Sequence, residues 1–207
     1  ILSSFFPDGE RIIVMEDVCE LQVQSQHVVY LETRPADARG KGAVTMRDLL
    51  RAVLRMRPDR ILVGEIRGGE AIELVQALCT GHGGSMTTLH ANYAIDAMHR
   101  LETMCMMSDV QLPIKALRSQ IASAIDVVVQ QNRLRDGSRR VVGVYEAEGI
   151  GTQGEYVMRP LFELRQRGEE PGTGRVLADL VPTGQKPTFI ADLEVRGYRA
   201  PDRATRG

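Results

Sequence analysis

Apolar residues alternate between two spacings over the first 130 positions of the chain. Short runs rich in β-branched residues predict four strands, at 10–16, 27–33, 60–66 and 85–90. Apolar residues three or four positions apart predict four helices, over about 45–57, 70–80, 94–106 and from Pro113 onward. Because alternating strands and helices are typical of βαβ units, this region is predicted to be an α/β domain with a parallel sheet.

Two local signals support these elements. Thr45 is followed three positions later by Asp48, which is the spacing of a capping box and predicts a helix start. The run over 60–66 is almost continuously apolar, and this favours a central strand that is buried on both faces.

The pattern changes near Glu148, where short β-like runs are separated by clusters of glycine and proline. Just before this point, residues 133–140 contain an Asp-Gly pair of the kind that turns a hairpin. We therefore predict two parts, a main α/β domain over 1–147 and a small β-rich extension over 148–207.

Composition excludes several classes of protein. With 43% hydrophobic and 26% charged residues the chain is globular rather than disordered. The 26 basic residues are balanced by 27 acids, so no nucleic-acid partner is expected. The cysteines are sparse and form no CxxC pair, which favours reduced thiols in an intracellular protein. No apolar run approaches the ~18 residues of a membrane span, and the first seven residues lack the features of a signal peptide.

Carboxylates follow two of the predicted strands. Glu16, Asp17 and Glu20 come where the first strand ends, and Glu65 lies in the strand at 60–66, two residues before Arg67. Ligands of open α/β sheets bind where the strands end, and acids there suit magnesium and the activation of water for attack on phosphorus. Solvated acids at exposed strand ends remain an alternative, as does a simple Glu65–Arg67 ion pair.

Two histidines flank the fourth predicted strand. His82 and His90 lie in the stretch TGHGGSMTTLHAN and are expected to face the same crevice as the acids, where they could contact phosphate oxygens or a neighbouring chain. A zinc site that also uses Cys79 is a weak alternative, because no second close pair of ligands is present. Structural histidines are a further alternative.

Three ordered strings resemble a known family. EDVCEL (16–21), MRPDRILVGEIRGGEA (56–71) and TGHGGSMTTLHAN (80–92) resemble the Asp box, the Walker B motif and the His box of the type II/type IV secretion ATPase superfamily. RLETM, LPIKALRSQIASAIDVVVQ and RLRDGSRRV, between residues 100 and 141, are similar to its tight-adherence (Flp pilus) branch. The resemblance extends from residue 1 to about 150.

This resemblance implies the C-terminal domain of a RecA-like P-loop NTPase that uses ATP and Mg²⁺. It implies a homo-hexameric ring at the cytoplasmic face of the bacterial inner membrane, where the ring would act on a membrane platform protein of a pilus or secretion system. Our leading hypothesis is therefore an ATP-hydrolysing motor subunit. A catalytically inactive ring or interaction module and a nucleic-acid motor on the same fold are the alternatives.

The family's site residues correspond to particular positions of this sequence. Glu20 and Glu65 are expected to be catalytic, with Glu20 as the base that activates water. Glu16, Asp17 and Glu65 are expected to support magnesium, in part through water. His82, His90 and Arg67 are expected to sense the nucleotide.

The phosphate loop departs from the family pattern. No G-x-x-x-x-G-K-[ST] motif occurs in the sequence, and GKGAVT (40–45) lacks both the preceding strand and the first glycine. The chain is therefore expected to start shortly after the phosphate-binding lysine and to be inactive by itself. The second strand also carries Tyr30 where relatives often have arginine, which leaves Arg34 as the nearby cation.

Overall fold

A computed structural model describes residues 2–198 of the chain. Within that range the chain forms two compact units. The first comprises residues 2–90 and 99–124, and the second comprises residues 91–98 and 125–198. The first unit contains the α/β elements and the second contains an antiparallel sheet.

The first unit is built on a four-stranded parallel sheet in the order β2-β1-β3-β4. Its strands are β1 (Ile12–Glu16), β2 (Val28–Glu32), β3 (Arg60–Val63) and β4 (Met86–Thr87). Ile13 of β1 is paired with Val29 on one side and with Ile61 on the other. The predicted parallel sheet is thus confirmed, with β1 and β3 as the central strands.

Four helices follow the predicted pattern closely. They are α1 (Met46–Val53), α2 (Ala71–Cys79), α3 (Ala94–Met106) and α4 (Ile114–Ala124). The capping box at the start of α1 is confirmed, since the backbone N–H of Asp48 donates to Thr45 Oγ1 and the N–H of Thr45 donates to Asp48 Oδ2. Helix α3 is divided between the units, because residues up to Met98 cluster with the second unit.

The core of the first unit consists of the two central strands and the apolar faces of the helices. Every residue of β1 from Ile12 to Met15 is fully buried, and Ile61 in β3 is equally inaccessible. Large side chains from the helices complete the core, among them Leu50, Val53, Ile72, Leu74 and Ile121. The continuous apolar run at 60–66 therefore reflects burial on both faces, as predicted.

All four strands are shorter than predicted, and β3 and β4 are shorter by three residues or more. β3 ends at Val63 instead of residue 66, although the N–H of Gly64 still donates to the carbonyl of Met15. β4 covers only Met86 and Thr87. Gly64, the first residue after β3, fits beside the buried side chain of Glu16, where a Cβ would be too close. Glu65 therefore lies in the loop after the strand rather than within it.

The second unit is an antiparallel sheet in the sequential order β5-β6-β7-β8. Its strands are β5 (Val127–Arg133), β6 (Arg139–Ile150), β7 (Tyr156–Glu169) and β8 (Val176–Pro182), followed by the short helix α5 (Ile190–Val195). The predicted hairpin turns at Gly137, which has a φ of 81°. The domain boundary predicted at 147/148 lies inside β6, because the sheet already begins at Val127.

No helix within residues 2–198 is both long and apolar enough to cross a membrane.

Candidate active site

The C-terminal ends of the parallel strands form one edge of the first sheet, which we call the carboxyl edge. Glu16 ends β1 and Asp17 follows it. Glu65 lies two residues beyond β3, and His90 lies three residues beyond β4. Because these strands run in the same direction, these side chains belong to the same edge, where open α/β sheets bind their ligands.

At the carboxyl edge, Glu65 is contacted by both Arg67 and His90. Arg67 Nη2 donates to Glu65 Oε2 at 2.7 Å, and His90 Nε2 lies 3.3 Å from Glu65 Oε1. The hydrogen bond from Arg67 lowers the pKa of Glu65, and the charges of Arg67, His90 and Arg100 act in the same direction against a partial desolvation. A lowered carboxyl pKa keeps Glu65 ionised at neutral pH, where it can only accept hydrogen bonds.

Asp17 extends this arrangement toward the second strand. Thr33 Oγ1 donates to Asp17 Oδ1 at 2.9 Å, and Arg67 Nη1 lies 3.8 Å from Asp17 Oδ2. Arg67 therefore lies between two carboxylates, and its hydrogen bond to Glu65 raises the pKa of the guanidinium. The Glu65–Arg67 ion pair, which the sequence left open as an alternative, is present.

A cleft of about 400 Å³ opens beside these groups. Its lining includes Asp17, Thr33, Arg34, Thr45, Glu65 and Arg67. Arg34 Nε donates to the carbonyl of Gly42 at 2.8 Å, which places this guanidinium in the wall of the cleft. The cleft thus presents both carboxylates and guanidinium groups, a combination suited to a ligand with phosphate oxygens and an attacking water.

Glu16 is held by backbone donors, and the magnesium-supporting role expected of it stays a prediction. It is 6% exposed, and its carboxylate accepts the backbone N–H groups of Glu20 and Leu21 at 3.1–3.3 Å. A buried carboxylate needs such donors, and these fold the residues after β1 back onto the strand. Glu16 therefore shapes the loop that carries Asp17 and Glu20.

Glu20 and His82 are not brought into contact with Glu65. The side chain of Glu20 is exposed, and within residues 2–198 it contacts none of the charged groups described above. His82 precedes β4, and its Nδ1 lies 3.0 Å from the carbonyl of Ala77 near the end of α2. Because His82 comes before the strand and His90 after it, the two imidazoles lie at opposite ends of β4 instead of facing one crevice.

The described acids do not form a direct magnesium site. Within residues 2–198 no group of three or more His, Cys, Asp or Glu side chains is arranged to hold a metal ion. Asp17 and Glu65 contact Arg67, and Glu16 is occupied by backbone N–H groups. Within the same residues, Cys79, His82 and His90 are not arranged to hold a zinc ion.

Some residues of the site were missed by the sequence analysis. Gly64 allows the loop after β3 to pass Glu16, and Glu70 Oε1 accepts the N–H groups of Arg67 and Gly68, both at 2.9 Å. The adjacent glycines and the acid after them were the available signal, since they are typical of a tight turn closed by a carboxylate.

We expect Gly64→Ala to displace Glu16. A Cβ at position 64 would lie 2.8 Å from Glu16 Cγ, so the buried carboxylate or the strand end has to move. Overpacking of this kind costs about 1–3 kcal/mol, which a lower urea midpoint would report. Gly83→Ala is the matched control, because a Cβ there meets nothing within 4 Å. Equal midpoints for the two variants would contradict the prediction.

The fold and this edge define an α/β protein of the RecA-like ATPase class, and comparison with known proteins identifies the family. Residues 1–153 match the family described as type II/IV secretion system protein. Because the match covers most of the chain, the protein belongs to this family, and the family predicted from the three motifs is confirmed.

Individual relatives agree with this conclusion. A putative conjugal transfer protein of Mycobacterium tuberculosis is 43% identical over 152 residues, which are 72% of this chain and 42% of the relative. The type IV secretion system protein PtlH of Bordetella pertussis is also 43% identical, over 155 residues that cover 72% of this chain and 45% of PtlH. The chain therefore spans less than half the length of these relatives.

A solved structure confirms the predicted fold class. The VirB11 ATPase of the Brucella suis type IV secretion system, crystallised in complex with sulphate, is 35% identical and superposes with a TM-score of 0.61. The match covers 70% of this chain and 42% of the VirB11 chain.

Proposed function

We propose that the protein is the ATP-hydrolysing motor subunit of a type IV secretion or tight-adherence pilus system. The observation that carries this proposal is the position of Glu65, an ionised carboxylate held between Arg67 and His90 at the carboxyl edge of a RecA-like sheet. Family membership and the likeness to a VirB11 ATPase support it.

Glu65 would position the attacking water. An ionised carboxylate accepts a hydrogen bond from water, which raises the electron density on the water oxygen and favours its attack on phosphorus. Arg67 would exchange its bond to Glu65 for a phosphate oxygen when nucleotide binds, and His90 would report that exchange because it contacts the other oxygen of Glu65.

The remaining predicted site residues keep lesser roles in this proposal. Glu20 lies on an exposed loop and would become the water-activating base only if the loop moves toward the nucleotide. His82 would act from the opposite end of β4 through the C-terminus of α2. ATP would bring its own oxygens for Mg²⁺, so Asp17 and Glu65 would contribute through water molecules rather than as direct ligands.

The phosphate-binding part of the site is proposed to come from residues outside these 207. We do not expect the stretch GKGAVT to supply it, because the N–H of Gly40 donates to the carbonyl of Asp37 and the N–H of Lys41 donates to Asp37 Oδ1, both at 2.8 Å. A phosphate loop needs such backbone donors to be available for the nucleotide.

The wider setting is proposed from the family. We propose a homo-hexamer at the cytoplasmic face of the inner membrane, acting on a platform protein of that membrane. Relatives in secretion and conjugal transfer support a secretion motor. The tight-adherence branch rests on the strings between residues 100 and 141 alone.

Steady-state hydrolysis of Mg-ATP tests the proposal. The protein used is the full-length form, by which we mean a chain that includes the proposed phosphate loop. We expect turnover that is lost on removal of Mg²⁺ and that co-elutes with a hexamer. A hexamer without turnover would favour the inactive ring module, and turnover that requires single-stranded DNA would favour the nucleic-acid motor.

A further inference from the structure

Arg47 joins the start of α1 to the loop that carries Glu65 and Arg67. We call residues 64–70 the carboxylate loop. Arg47 Nη2 donates to the carbonyl of Gly69 in this loop at 3.1 Å, and Arg47 Nε lies 3.1 Å from Glu73 Oε1 in α2. Its third nitrogen, Nη1, lies 3.5 Å from Asp109. A single guanidinium thus connects the carboxylate loop to its surroundings with three different nitrogens.

The carboxylate of Glu73 is shared between two arginines. Glu73 is 8% exposed, and its Oε1 accepts Arg51 Nη2 at 2.9 Å as well as contacting Arg47. Among residues 2–198 its Oε2 has no hydrogen-bond partner. Because a buried carboxylate needs a cationic or hydrogen-bonding partner, either arginine keeps Glu73 paired when the other is removed. Within residues 2–198 Arg51 makes no hydrogen bond to the carboxylate loop, so the two arginines differ in this respect.

The carboxylate loop is also tightly packed at Gly69. A Cβ at this position would lie 3.0 Å from Arg47 Nη2 and 3.0 Å from the Cα of Ser108, in the turn after α3. The loop backbone is therefore held between Arg47 on one side and this turn on the other. Small displacements of Arg47 would be transmitted to Gly69 and from there along the loop.

We propose that Arg47 is a positioning residue for hydrolysis, which fixes the carboxylate loop and with it the place of Glu65. This inference rests on the proposed function, because it concerns the same reaction. Arg47 acts through the carbonyl of Gly69 and lines no part of the cleft, whereas its neighbours Thr45 and Met46 do. Its loss should slow the chemical step much more than it weakens nucleotide binding.

The experiment compares Arg47→Ala with Arg51→Ala in the full-length protein, using kcat and direct titration of Mg-ATP. We expect Arg47→Ala to lower kcat about 10- to 100-fold, because a misplacement of about 1 Å has effects of this size. Nucleotide affinity should fall much less than kcat, since Arg47 does not line the cleft and the loop contributes only Arg67 to the proposed phosphate contacts. Arg51→Ala, which also removes a partner of Glu73, should keep kcat within about twofold of wild type.

Two further variants distinguish the proposed positioning role of Arg47 from a purely structural role in folding. Arg47→Lys keeps a cation near Glu73 but offers one nitrogen where arginine uses three, so it should fold normally and still lose kcat. Gly69→Ala retains both arginine residues but adds a Cβ 3.0 Å from Arg47 Nη2. It should therefore show the same loss of kcat.

Each outcome decides the inference. Equal kcat losses in Arg47→Ala and Arg51→Ala would overturn it, and so would wild-type kcat in Arg47→Lys or a loss confined to nucleotide affinity. A wild-type protein that hydrolyses no ATP would overturn the proposed function and this inference together. A wild type with normal turnover and an unaffected Arg47→Ala would overturn this inference alone.

Discussion

Glu65→Gln in the full-length protein is expected to abolish ATP turnover while nucleotide still binds. The amide keeps the size of the side chain but loses the charge that orients water and balances Arg67 and His90. Removal of a group that positions or stabilises the reacting atoms costs about 10²-fold or more in rate. Turnover under saturating Mg-ATP measures the loss, and titration with nucleotide measures the binding that should remain.

Glu10→Gln is the matched control for this substitution. Glu10 also forms an ion pair with an arginine, Arg60, and its side chain is 25% exposed, against 22% for Glu65. It precedes β1 and so lies at the opposite edge of the sheet, where loss of a partly exposed ion pair costs about 0–1 kcal/mol. Turnover of Glu65→Gln within about threefold of wild type would remove Glu65 from the mechanism.

Residues 1–207 alone are expected to bind Mg-ATP at least 10⁴-fold more weakly than the full-length protein, because ~6–12 kcal/mol of binding free energy is lost. This estimate assumes four charge-assisted hydrogen bonds of a phosphate loop at about 1.5–3 kcal/mol each. Micromolar affinity corresponds to only ~8 kcal/mol in total. The acids of the cleft would also face the triphosphate without an opposing lysine.

Isothermal titration of both forms tests this expectation, with circular dichroism to show that the shorter chain is folded. In the full-length protein, Lys41→Ala should leave the affinity unchanged, because it removes only an exposed side chain and keeps the backbone N–H that donates to Asp37. Micromolar binding by a folded 207-residue chain would contradict the prediction and would show that the nucleotide is held by other residues.

The elements that the sequence predicted well are those fixed by local chemistry. Thr45 and Asp48 cap α1 as their spacing indicates, since both partners lie within one helical turn. The burial of β1 and β3 follows from their continuous apolar runs, and α3 has the predicted bounds of Ala94 and Met106. In each case the information is contained in a few neighbouring residues.

The differences from expectation concern side chains whose contacts depend on how loops fold. His82 and His90 were predicted to face one crevice, but they flank the same strand and so lie at opposite ends of it. Glu16 was predicted as a metal ligand, and its role as a buried acceptor depends on how the next five residues fold back. No periodicity indicates such contacts.

Arg47 illustrates the same limit. It is one of two arginines on α1, and nothing in the pattern of the sequence distinguishes it from the other, Arg51. The difference arises only when α1, α2 and the carboxylate loop come together, which places Gly69 within reach of one arginine. Such a contact joins residues that are 22 positions apart.

The segment that follows His90 bears on how this protein can be divided. Gln130 in β5 is 9% exposed, and its Nε2 donates to the carbonyls of Ala91 and Asn92 at 3.1 and 3.4 Å. Residues 91–98 therefore belong to the second unit although they precede α4 in the chain.

No single cut between α4 and β5 separates the two units. A fragment that stopped at Ala124 would retain 91–98 but lose the side chain that satisfies two of its carbonyls, so it would carry a loose segment directly after His90. A chimera that exchanges the antiparallel sheet between relatives would have to move residues 91–98 together with it. The two units therefore pack separately, but neither corresponds to one continuous stretch of the sequence.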